Sequence, residues 1–201
     1  MTKDIKKRAI EEVAVNLFLE KGYNNTTIND ICEAMDITKP TFYKYVNAKE
    51  ELMLDLYDVA IKRICRDTLS LLEVDTDIER LLVLYNKLID YTIAFGHDLF
   101  SQMFIANLNH NHNSFSNYKE MDDLVVLLLR KAQKKQEIHN TKDPVQINDT
   151  ILYTYIGYEI AWCVRDSDVD IKKKFFNSLA AILNIDNKYQ HLIDKYTAKK
   201  D

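Results

Sequence analysis

Residues 26–52 read TTINDICEAMDITKPTFYKYVNAKEEL, two short helical patterns joined by a tight turn. Thr27-Ile28-Asn29-Asp30 fits the capping box, in which a hydroxyl and a carboxylate satisfy the first free N–H groups of a helix. Ile28, Ile31, Cys32 and Met35 then follow at helical spacing. Asp36-Ile37 forms the turn. Thr38 caps the next helix, and Pro40 sits in its first turn, where a missing N–H costs nothing. Phe42 and Val46 share one face of that helix and can pack on Ile28, Ile31 and the preceding helix. Pro40, Tyr43, Lys44 and Asn47 project from the opposite face, with Lys39 and Thr41 at its N-terminal edge. These are the dimensions of a helix-turn-helix, whose second helix enters the DNA major groove.

Upstream, Ile5, Ala9, Val13 and Leu17 recur every four residues, joined by Ile10, Ala14 and Phe18, in an amphipathic helix that Gly22 ends. Downstream, a helix starts near Lys49 and runs to about Leu72. The chain has only three glycines and two prolines in 201 residues, against the ~7% and ~5% of an average chain. A β-sandwich or barrel needs far more turn residues, and Gly22, Gly96 and Gly157 lie too far apart for a glycine-rich phosphate loop. Loops are marked by Asp and Asn instead. The spacing predicts further helices at about 78–95, 98–108, 118–136, 144–166, 170–183 and 186–199. The fold class is therefore all-α, with nine or ten helices.

Charge is distributed unevenly. The whole chain carries a net charge of −4, and residues 1–50 balance eight bases with eight acids. From Ile37 to Lys49, however, there are three lysines and no acid, and residues 1–10 hold four bases against one Asp. A few well-placed lysines and helix N-termini suffice to anchor a duplex through counterion release. Thr27 and Lys49, each at a helix start, can offer donors to a phosphate.

These residues together resemble the DNA-binding domain of the tetracycline-repressor (TetR) family of bacterial regulators. The likeness covers about residues 5–55 and runs through Thr26-Thr27-Ile28, Ile31-Cys32, Met35 to Val46 and Lys49-Glu50-Glu51-Leu52. Cys32 stands where the family usually has Ala, Asp36 where it has a turn Gly, and Val46 where it has Phe. The resemblance implies that Lys39, Pro40, Thr41 and Lys44 face bases or adjacent phosphates. It implies that Tyr43 and Tyr45 hold phosphates through their hydroxyls, and that Thr27 and Lys49 clamp the backbone. It further implies a helix-turn-helix domain over 1–48 and a helical domain over 49–201 that binds a small-molecule effector and dimerises. The expected regulator is a repressor released from a pseudo-palindromic operator by its effector. An activator or an effector-independent regulator on the same fold is the alternative, and a helical-bundle enzyme a remote one.

Family members usually dimerise through their last two long helices, and the composition agrees. The 144–166 segment is apolar on more than one side, and 170–183 carries the stripe Ile171, Phe175, Leu179 and Ile182. Ile151, Tyr155, Gly157, Phe175, Leu179 and Ile182 are the expected interface residues, with Gly157 a close-contact position. Aromatic residues at helical spacing (Phe100, Phe104, Tyr118, Tyr153, Tyr158 and Trp162) are candidates for an effector pocket, with Glu159 as a partner for a cationic group. Plain core is the competing reading of each. His110 and His112 in the polar loop NHNHNSFSN (109–117) lack a convincing third ligand, His97 being the nearest candidate, so no metal site is expected. No catalytic arrangement or cofactor motif stands out. Cys32, Cys65 and Cys163 are odd in number and widely spaced, as in reduced cytoplasmic proteins. No apolar run approaches the ~18–20 residues that span a bilayer, and the charged N-terminus has no signal-peptide character.

Overall fold

The computed structural model describes residues 3–66, 71, 73–110, 119–165 and 169–198. Among them are ten α-helices and no strand: α1 (Lys3–Lys21), α2 (Ile28–Ala34), α3 (Lys39–Tyr43), α4 (Lys49–Arg66), α5 (Asp77–Phe95), α6 (His97–His110), α7 (Lys119–Lys134), α8 (Pro144–Val164), α9 (Ile171–Leu183) and α10 (Gln190–Thr197). A single 3-10 turn, Asn187–Tyr189, precedes α10. The chain divides into two compact units, residues 1–61 with 91–117 and residues 62–90 with 118–201. The first unit therefore takes in more than the expected head of 1–48. Leu52 and Ile61 of α4 are buried along with the head's own core.

In the first unit α1 packs on α2, and α2 on α3. The core of α1 is Ile10, Ala14, Val15 and Phe18, all almost fully buried. Ala9, Val13 and Leu17 are only half-buried, and Ile5 is 51% exposed. The face is thus centred one residue round from the row of four-residue repeats that leads the sequence pattern. A broad apolar stripe has a middle row and two flanks, and spacing does not say which row is the middle.

The second unit is built on α7 to α10, with α7 against α8, α8 against α9 and α9 against α10. Phe175 is its hub. Its ring lies 5.1 Å from that of Tyr85 and 5.2 Å from that of Tyr155, and Phe176 beside it stacks on Tyr196 at 4.6 Å. The segments after α7 and α9 are tied together: His139 and Asn140 N–H groups donate to the Asn184 and Leu183 carbonyls, and Asp186 N–H to the Glu137 carbonyl.

Besides Gly22 and Gly96, three helix ends in this glycine-poor chain are turned by residues with a side chain. Asp36, Gln136 and Asn184 all have positive φ, at 50°, 56° and 49°. After α2, the Ile37 N–H reaches the Cys32 carbonyl (2.9 Å) and the Asp36 N–H reaches that of Glu33 (3.2 Å), which is a Schellman ending. Left-handed backbone costs an L-residue with a Cβ roughly 1–2 kcal/mol. Replacing Asp36 with Gly should therefore raise stability in urea denaturation by roughly 0.5–1 kcal/mol, after allowing for the extra chain entropy of Gly. Asp36→Val should lower it.

Candidate nucleic-acid interface

The start of α2 is fixed by the capping box. Thr27 Oγ1 accepts from the Asp30 N–H (3.2 Å), while Asp30 accepts from the Thr27 N–H (2.7 Å) and hydroxyl. Lys21 at 3.0 Å adds a charge partner. The Thr27 hydroxyl and N–H, with Lys21, hold the Asp30 carboxyl well below the usual carboxylate range. At α3, Thr38 accepts from the Thr41 N–H (3.4 Å), its hydroxyl pairs with that of Thr41 (3.0 Å), and Pro40 lies in the first turn. The starts of both helices are thus locked by short-range bonds that residues 27–41 supply themselves.

The phase of α3 is set by burial. Phe42 has no exposed surface and Val46 only 1%. Lys39, Pro40, Lys44 and Asn47 on the other side are exposed, and Tyr43 is 50% exposed with its ring edge-on to Phe42 at 5.5 Å. Thr41 and Tyr45 are half-buried, and Lys6 of α1 lies 5.9 Å from the centre of the Tyr45 ring. After Tyr43 the chain tightens: Lys44 N–H donates to Thr41, and Tyr45 and Val46 N–H groups both donate to the Phe42 carbonyl. The regular part of α3 is therefore only Lys39–Tyr43. Asn47 closes the segment with two bonds to Glu51 (2.9 and 3.0 Å), which also pairs with Lys7 at 3.1 Å. Burial pushes the Glu51 carboxyl up, but these partners outweigh it and hold it below its ordinary value.

One member of the expected set is placed differently. The Lys49 ammonium donates to the Tyr23 carbonyl at 2.5 Å and lies 3.9 Å above the centre of the Tyr23 ring and 5.8 Å from that of Phe18. It is half-buried, and burial holds its pKa below the ordinary lysine range, against the pull of Glu50 and Asp30. Burial, with Glu50 nearby, pushes the Tyr23 hydroxyl up to about 12. Lys49 thus ties the start of α4 to the α1–α2 turn instead of pointing a free charge outward. The aromatic at position 23 was the available signal, since a cation can settle on a ring as readily as on a phosphate.

The other candidates separate. Phe100, buried, and Phe104, half-buried, belong to the first unit, where Phe100 stands 6.4 Å from both Phe95 and Phe104. Tyr153, Tyr158, Glu159 and Trp162 belong to the second. Tyr153 is 71% exposed, Tyr158 bonds the Ser178 hydroxyl at 2.8 Å, and Glu159 and Trp162 are buried. Tyr118 and His112 lie outside the described residues, and His110 ends α6. Among the expected interface residues, Ile151, Tyr155, Phe175 and Leu179 have no exposed surface within one chain. Phe175 packs on Tyr155 and Tyr85, and none of the four leaves surface for a second chain to cover. Ile182 is half-buried, and Gly157 is exposed with open space where a Cβ would stand. Among the described residues no group of three or more metal-ligating side chains assembles, and no helix is long and apolar enough to cross a membrane.

Residues 10–56 match the family model described as bacterial regulatory proteins, tetR family. This N-terminal segment is thus of the tetR-family type. The chain is similar to the uncharacterized HTH-type transcriptional regulator YuxN of Bacillus subtilis, at 40% identity over 63 residues, 29% of this chain and 22% of YuxN. It is also similar to IcaR of Staphylococcus epidermidis, the negative transcriptional regulator of the biofilm operon icaADBC, at 41% over 46 residues, 23% of this chain and 25% of IcaR. The chain thus spans about a quarter of the length of these relatives. The whole fold is similar to that of Thermus thermophilus FadR, a TetR-family repressor solved with lauroyl-CoA. There the TM-score is 0.59 and the identity 21%, covering 97% of this chain and 96% of FadR. The tetR-family head of this chain should lose about 1–2 kcal/mol of stability on Lys49→Met, which keeps the stem and removes the cation and its donor. Urea denaturation checks this; unchanged stability would place the Lys49 ammonium elsewhere.

Proposed function

We propose that this protein is a transcriptional regulator whose α3 reads the major groove of an operator, and that it acts as a repressor. The observation that carries this is the division of α3 into two faces. Phe42 and Val46 are locked in the core, and Lys39, Pro40, Tyr43 and Lys44 stand in solvent on a short helix without an acidic side chain. A helix needed only for packing has no use for that polar set. Thr27 and Thr41 stand at helix starts, where the positive end of the helix dipole favours adjacent phosphates, while their own N–H groups and the Thr27 hydroxyl hold the caps. Lys49 supports the reader from within. Repression is favoured by relatives whose names describe a negative regulator and a repressor.

We further infer that the regulator works as a homodimer through α8. Its inner face, from Ile147 through Ile151, Tyr155 and Trp162, fills the core of the second unit. On the opposite side Val145 (46%), Tyr153 (71%), Ile160 (44%) and Val164 (76%) remain exposed, with Gly157 among them. One helix that is apolar on two opposite sides has a second surface to cover, and a two-fold copy of itself is the partner that a paired operator needs. Gly157 permits the closest approach. A small-molecule effector that favours one spacing of the two α3 helices over another would release DNA by population shift. The FadR–lauroyl-CoA complex shows such a fold holding a small molecule. A cytoplasmic, non-enzymatic role follows from this reading.

Gel-shift titration against the operator tests the reader. Lys44→Ala should weaken binding about tenfold and reduce the salt slope by about one, and Tyr43→Phe should weaken it less. Full retention of affinity by both variants would refute the assignment of α3.

A further inference from the structure

The second unit contains a cleft of about 680 Å³ lined by Asp77, Arg80, Leu128, Lys131, Lys134 and Lys135. It lies between the first turn of α5 and the C-terminal turns of α7, and its volume falls in the ~300–1,000 Å³ range of small-molecule sites. Its frame is anchored. Arg80 donates from Nε to the Leu71 carbonyl (2.9 Å) and through its two terminal nitrogens to the Val74 carbonyl (2.6 Å) and to Asp77 (3.0 Å). Asp77, whose side chain is 3% exposed, is also paired with Lys135. The neighbouring Glu137 is buried, with its carboxylate accepting the Ile78 N–H at 2.8 Å. Both carboxylates are therefore committed to holding the cleft together.

Lys131 and Lys134 are exposed, and neither pairs with an acid among the described residues. Four cations line the cleft against one carboxylate, an excess of three positive charges on a chain whose net charge is −4. Lysines three and four apart on a helix repel one another by about 0.2–0.5 kcal/mol per pair. The α7 C-terminal dipole favours a lysine or two in its last turn. It does not account for Arg80, which arrives from another helix and is fixed by backbone carbonyls at the same place. A diphosphate group carries about three negative charges near neutral pH, because the second ionisation of a phosphate has a pKa of about 6. Leu128, almost fully buried, closes the cleft on its inner side.

We propose that this cleft binds a small molecule bearing a diphosphate, with Lys131 and Lys134 as its charge partners and Arg80 and Lys135 closing the basic ring. None of these residues belongs to the first unit, so the proposal does not depend on the operator reading. The test is calorimetric titration of the full chain with ADP and with inorganic pyrophosphate, repeated on Lys131→Glu/Lys134→Glu. Saturable binding of both probes is expected, one per chain, with ADP at least as tight. The double variant should bind at least tenfold more weakly at an unchanged urea midpoint. Lys131→Ala/Lys134→Ala should also weaken binding, which separates lost attraction from added repulsion. No saturable binding of either probe at millimolar concentration overturns the proposal, and so does wild-type affinity in both double variants.

Discussion

The burial of Phe42 is the constraint on which the candidate interface depends. With no surface left to solvent, that ring fixes the rotation of α3 about its axis, and Val46 one turn later confirms the same phase. Rotation by one residue, about 100°, would expose an aromatic ring and drive Tyr43 or a threonine inward. The outward polar face is thus a consequence of a core contact, and a short helix of Lys39–Tyr43 holds one orientation without length of its own. The caps at Thr27 and Thr38 and the tether from Lys49 to Tyr23 brace the elements on either side.

Much of that head is legible in the sequence because its determinants are local. The Thr27–Asp30 capping box, the Thr38 cap, Pro40 in a first turn and the left-handed Asp36 each involve residues a few positions apart, and local rules describe them well. The same is true of the Asp and Asn punctuation elsewhere: Asp143 and Asp170 cap α8 and α9, and Asn184 takes the left-handed position after α9. Gln136 is the exception, a residue without turn preference that is nonetheless held at positive φ after α7.

What spacing does not reveal is the partner of each apolar face. Ile151, Tyr155, Phe175 and Leu179 are the larger, more regular stripe and so attract the interface assignment. All four are buried within one chain, where Phe175 of α9 meets Tyr155 of α8 and Tyr85 of α5. The face left open is the more broken row of Val145, Tyr153, Gly157, Ile160 and Val164. Lys49 shows the same limit for charge, since its partner at Tyr23 is 26 positions away and joins a helix to a distant turn. The aromatic set drawn up for an effector pocket is divided between two units, and the basic cleft is assembled from the start of α5 and the end of α7. Each of these depends on contacts between residues far apart in the chain.

We propose that two copies of the α3 face read one DNA site. Selection of bound fragments from a random duplex pool by the full chain addresses it directly. Enrichment of a two-fold-symmetric sequence is expected, with half-sites whose centres lie about one helical turn, or a multiple of it, apart. Recovery of no enriched sequence, or of a single half-site without its symmetry mate, would contradict it.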